Sequence, residues 1–110
     1  MAEDFIYPVF TVNGQCVLKR LAMPADLAEL QQIIGGPFEA WPWRGFLVLA
    51  RTQGLAAGLD RNPFLFENVY GTAILSREFR GEFVGVTWRD LTTLEADYGV
   101  FLDSVTVLGR

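Results

Sequence analysis

Catalysis needs groups that exchange protons, hold metals or attack carbon and phosphorus, and few are present in these 110 residues. There is no histidine, which removes the commonest general base, the usual partner of a nucleophilic serine and the commonest zinc ligand. A single cysteine, Cys16, can make neither an internal disulfide nor a structural zinc site. With no histidine to activate it, Cys16 reads as a small apolar strand residue. Carboxylates remain: two acids held about 5 to 9 Å apart support glycosyl or phosphoryl chemistry. Asp60, Glu67 and Glu39 are the candidates, with Asp60 and Glu67 the pair for a hydrolase, but nothing local fixes their separation and they read first as solvated loop acids. No Walker loop, G-x-G-x-x-G, G-x-S-x-G or EF-hand pattern occurs. Gly35-Gly36 ends a helix instead of beginning one, so it is no phosphate cradle. The expectation is no catalytic residue, no metal and no cofactor.

Two groups of residues point to binding. Trp41, Trp43, Arg44 and Phe46 combine wide aromatic faces with a guanidinium, the residue types enriched where proteins meet proteins. In a domain this small the same tryptophans could instead fill the core. The second group, Asp60, Arg61, Asn62, Glu67, Asn68 and Tyr70, is polar within apolar sequence and could line a pocket for a nucleotide-like ligand. Its plainer reading is turn chemistry with an internal pair between Arg61 and Asp60 or Glu67.

The elements that must position these groups follow from punctuation and periodicity. Phe5 to Val12, Asn13-Gly14 and Gln15 to Leu21 predict a hairpin closed by a type I′ turn, pairing Val12 with Gln15 and Val9 with Leu18. That register puts Cys16 on the face of Val9, Thr11 and Leu18. A helix over about Pro24 to Ile34 carries an apolar stripe of Leu27, Leu30 and Ile34 with Ile33 beside it, and Gly35 then Gly36-Pro37 stop it. Phe38 to Trp43 and Phe46 to Arg51 form a second hairpin around Arg44-Gly45, with Trp41, Trp43, Phe46 and Val48 on one face if the loop has two residues. Pro42 marks its first strand as a sheet edge.

Further along, Thr52-Gln53-Gly54 is a turn, Leu55 to Leu59 an optional short strand and Asp60 to Pro63 a loop. Thr72 to Ser76 and Glu82 to Val86 make a third pair of strands. Thr87 caps a helix at the amide of Asp90, with Trp88, Leu91, Leu94 and Tyr98 along one face and Gly99 as its stop. Val100 to Leu108 closes as a strand. The order, roughly ββαββ(β)ββαβ, predicts one α+β domain over residues 1–110, with two helices packed on an antiparallel or mixed sheet.

Composition sets the remaining bounds. Hydrophobic residues make up 51% and charged residues 20%, so the whole chain is expected to fold. The net charge of −4 gives no positive field for phosphate, which disfavours generic nucleic-acid binding. No stretch is long and apolar enough to span a bilayer, and the acidic start MAEDF lacks the regions of a signal peptide, so a cytoplasmic location is expected. An exposed edge strand would also seat a second copy, making a homodimer or larger homo-oligomer an expectation.

The order of signals LAELQQIIGGPFEAW, FLVLARTQGLAAGLDRNPF, the YGTAIL strand and GEFVGVT resembles domain-of-unknown-function family 3846, small proteins of bacteriophages and mobile elements. The resemblance covers roughly Val9 to Leu91. It is carried most specifically by Leu30 to Gly36, by Gly58-Leu59-x-x-Asn62 and by Gly71 to Leu75. The family typically has an Asn-Glu turn where this chain has Arg51-Thr52-Gln53-Gly54, so no role at that turn is carried over. The family has no settled activity and transfers no catalytic residue. The resemblance implies a phage-type accessory protein, acting in the host cytoplasm by binding a host or phage protein in takeover or defence modulation, or by sequestering a nucleotide-like immune signal.

Overall fold

In the computed structural model, which describes residues 5–21, 24–63, 69–98 and 105–108, the elements run β1 (Phe5–Phe10), β2 (Cys16–Lys19), α1 (Leu27–Ile34), β3 (Phe38–Trp43), β4 (Phe46–Arg51), β5 (Ala73–Phe79), β6 (Glu82–Val84), β7 (Val86–Thr87), α2 (Trp88–Tyr98) and β8 (Val105–Leu108). The fold is α+β. One sheet runs β3-β4-β5-β1-β2-β8, with β6 paired to β5 and β7 to β1. All pairings are antiparallel except β2 with β8, which makes the sheet mixed.

Side-chain alternation along the strands splits the apolar residues into two layers. Ile6, Phe10, Cys16, Leu18, Phe46, Val48, Ala50, Ala73 and Leu75 form one layer, closed by Leu91 and Leu94 of α2. Tyr7, Val9, Leu49 and Ile74 form the other, closed by Leu30 and Ile34 of α1. Each helix thus covers a different face.

Several local expectations are corrected. The first hairpin has a three-residue loop: Gly14 N donates to Thr11 O at 3.2 Å, Thr11 N donates to Gln15 O at 2.9 Å, and Gly14 takes φ 89° while Asn13 does not turn positive. This is a type I turn with a glycine bulge, the other geometry that Asn-Gly accommodates. It pairs Phe10 with Cys16 and Val9 with Val17, one step from the expected register. Cys16 therefore shares the face of Phe10 and Leu18, not Val9.

Helix α1 starts at Leu27, because Asp26 acts as N-cap and accepts a hydrogen bond from Ala28 N at 3.0 Å. Pro24 and Ala25 precede it, and Leu27, in its first turn, is exposed. Its C-terminus is as expected: Gly35 adopts φ 98°, and the Gly35 and Gly36 amides both donate to Gln31 O.

Leu55 to Leu59 is not a strand. Ala57 N donates to Gln53 O and Leu59 N to Gly54 O, each at 3.0 Å, winding the segment into turns. The strand count is restored at Gly85, which separates β6 from β7 and whose missing Cβ would sit 2.8 Å from Ile6 O. Helix α2 buries Leu91 and Leu94, but Trp88 at its first position faces solvent. The expected stop at Gly99 and the start of the final strand at Val100 lie outside the described residues.

Candidate functional site

The β3–β4 hairpin has the two-residue loop. Arg44 and Gly45 both take positive φ, 54° and 85°, and the register pairs Trp43 with Phe46 and Trp41 with Val48. A left-handed arginine is strained; here its guanidinium lies 5.8 Å from the centroid of the Trp43 ring, a cation–π contact that offsets part of that cost. The Arg80-Gly81 turn repeats the arrangement, with Arg80 5.1 Å from the centroid of Phe79.

The four residues of the expected contact face separate by depth. Phe46 is 8% exposed and belongs to the core, which removes it from the surface: β4 is an inner strand and its alternate side chains point under α2. Trp43 is half-buried against the same cluster. Trp41 is 37% exposed and Arg44 is exposed. At the hairpin tip Pro42, Trp43, Arg44, Phe46, Arg77 and Glu78 border an open cleft of about 520 Å³. Arg77 lies 4.7 Å from the Phe46 ring centroid and is bidentate to Asp90 at 2.8 and 3.1 Å.

That ion pair is structural. Burial opposes the charged form of Asp90, but the Arg77 hydrogen bonds and charge, with the Thr87 amide, outweigh it and hold the carboxyl below its ordinary value. Asp90 in turn holds the Arg77 guanidinium in its charged form. As expected, Thr87 Oγ1 accepts from Asp90 N at 3.1 Å; in return Thr87 N donates to Asp90 Oδ2 at 2.9 Å.

Among the described residues of the expected polar pocket, Asn62 turns inward, and Asp60 and Tyr70 divide between clefts. Asn62 is 1% exposed, and its Nδ2 donates to Phe10 O and Gly71 O, both at 2.9 Å, so the amide that was to face a ligand clamps β1 to the segment before β5. Arg61 and Tyr70 form an isolated antiparallel bridge. Asp60 borders one cleft, with Val12, Ile34 and Thr72, whereas Tyr70 borders another. Glu67 and Asn68 lie outside the described residues, and with them the Asp60–Glu67 pair.

The cleft at Tyr70, about 430 Å³, was not legible in the sequence. Glu39 and Trp41 of β3 form one wall, and Gln53, Gly54, Leu55 and Tyr70 close it, with Arg51 at its end. A Cβ on Gly54 would sit 2.8 Å from Tyr70 O, so glycine is what lets the Tyr70 backbone approach this turn. Glu39 and Trp41, two apart on an edge strand, are the sequence signal that could have found one wall; the other is assembled from the Gln53–Leu55 turn and from Tyr70, which local pattern does not join.

Burial pushes the Cys16 thiol up to about 12, which leaves it un-ionised and without nucleophilic character at neutral pH. Among the described residues no three His, Cys, Asp or Glu side chains gather as metal ligands, and no helix is long and apolar enough to cross a membrane. Comparison with protein-family models, curated proteins and solved structures finds no match.

Proposed function

We propose that this protein works as a non-enzymatic accessory module that binds another protein through the β3 edge and the β3–β4 hairpin. The observation that carries the reading is Trp41, a 37% exposed indole on a strand bonded on one side by β4 and lying between two open clefts. Tryptophan on a rigid, half-wet strand offers large contact area at small entropic cost, the property of interface anchors. Arg44 and the half-buried Trp43 extend the contact to the hairpin tip, over the buried Phe46.

The resemblance to family 3846 supports a bacteriophage setting, with a host or phage protein as partner and the host cytoplasm as location. The net charge of −4 argues against nucleic acid as that partner. For a nucleotide-like ligand the described residues lend less support, since Asn62 is spent on backbone carbonyls and Asp60 and Tyr70 border different clefts.

Trp41→Ser is the direct test; with the indole 37% exposed, it should lower stability by about 1 to 2 kcal/mol without unfolding the domain. Partner capture from an expressing host should be lost while the circular dichroism spectrum at the capture temperature stays that of the parent. Capture indifferent to Trp41 would refute the surface. A homodimer that dissociates on Trp41→Ser in sedimentation would replace the foreign partner by a second copy of the chain.

A further inference from the structure

We propose that the Glu39–Trp41–Tyr70 cleft receives the guanidinium of an arginine on the partner, making that arginine the anchor of the recognised segment. The inference rests on the reading of β3 as a protein-binding edge and names the chemistry of what binds there. Glu39 and Trp41 project from the same side of β3, beside their cross-strand partners Ala50 and Val48 of β4. Tyr70 borders the same cleft, its backbone brought there by its bridge to Arg61 and by the close approach to Gly54. An indole, a phenol and a carboxylate thus belong to residues that line one open cleft of about 430 Å³.

Among the described residues no ion pair or hydrogen bond engages the Glu39 carboxylate, and none engages the Trp41 indole. Arg51, the cation at the end of the cleft, packs its Nε against Gly36, where a Cβ would lie 2.8 Å away, and does not reach Glu39. The wall therefore presents an acceptor without a donor and ring faces without a cation. A guanidinium answers both at once, since its plane stacks on an aromatic face while two parallel N–H groups meet a carboxylate. A lysine ammonium is a point charge and lacks the stacking plane. Phosphate and other anions meet the charge of Glu39 on a chain of net charge −4.

The probe is N-acetyl-arginine amide, titrated at low salt while the indole N–H signal of Trp41 is followed by NMR and assigned with Trp41→Leu. A saturable shift is expected, with a Kd on the order of millimolar for one side chain. N-acetyl-norleucine amide, of similar length and uncharged, should bind at least about threefold more weakly, and Glu39→Gln should weaken the arginine probe by about as much while its amide fingerprint stays that of the parent. Raising the salt should weaken binding further. Equal binding of the norleucine amide, indifference to Glu39→Gln, or preference for guanosine monophosphate would overturn the proposal. If the arginine probe fails while Trp41→Ser still abolishes partner capture, the anchor is wrong and the protein-binding edge stands. If the probe binds with Glu39 dependence while capture ignores Trp41, the cleft is a cation site and the protein-binding reading falls.

Discussion

The side-chain amide of Asn62 gives its two N–H groups to two backbone carbonyls, those of Phe10 and Gly71. Its own backbone N–H goes to Val69 O at 2.8 Å, so one residue holds three segments together. Asn62→Leu should therefore cost about 2 to 4 kcal/mol in urea unfolding, since two buried carbonyls lose their donor. Asn62→Asp should cost at least as much, because it turns an acceptor charge toward two acceptors. By polarity alone Asn62 groups with Asp60 and Arg61 as a candidate pocket lining, yet those two neighbours are exposed. Burial alternates within that short segment, and polarity alone does not say which residue turns inward. The Glu39–Trp41–Tyr70 juxtaposition was hidden for a related reason: it depends on where the chain returns after Gly54, which local pattern does not encode.

Elements were legible where two local signals agreed and slipped where one signal admits two geometries. The second hairpin kept its expected register because Arg44-Gly45 has both residues at positive φ and the flanking strands are of equal length. The first hairpin slipped by one residue because Asn13-Gly14 serves a three-residue loop as well as a two-residue one, and that single step moved Cys16 to the other face. At α2 the reciprocal bonds between Thr87 and Asp90 were half legible, but the tie from Asp90 to Arg77 of β5 was not. Since the folded state lowers the pKa of Asp90, its contribution is present above the unfolded value of about 3.9 and is lost as pH falls through the folded value. Asp90→Asn should thus be destabilised by about 1 kcal/mol at pH 7, with the difference from the parent shrinking below about pH 4 in denaturant titrations.

At the scale of the molecule, the α+β class followed from counting helices and locally paired strands, whereas the choice between an antiparallel and a mixed sheet falls to the parallel pairing of β2 with β8. The assignment of one helix to each face did not, because an apolar stripe says that a helix is covered and not by which side of a sheet. This two-sided arrangement places a buried ionisable group in each apolar layer: Cys16 in one, Tyr7 in the other. Burial raises both to about 12, with the charge of Glu29 adding to the effect at Tyr7. The Tyr7 hydroxyl donates a long bond, 3.4 Å, to Phe83 O. Groups held neutral in the fold contribute stability below their unfolded values, about 8.5 for cysteine and 10 for tyrosine, and lose it as pH rises toward the folded ones. The free energy of unfolding should hence decline from about pH 9 upward, and Cys16→Ala should flatten the first part of that decline.

The sheet also ends unevenly at β3. Thr52 N donates to Pro37 O, and the ladder then alternates to the Trp43–Phe46 pair, so the amides of Phe38 and Ala40 point away from β4 while Pro42 has none to offer. Deuterium should enter those two positions ahead of Glu39, Trp41 and Trp43. That odd-even footprint along one strand would fade wherever another backbone comes to lie beside it, reporting occupancy of the edge without any knowledge of the occupant.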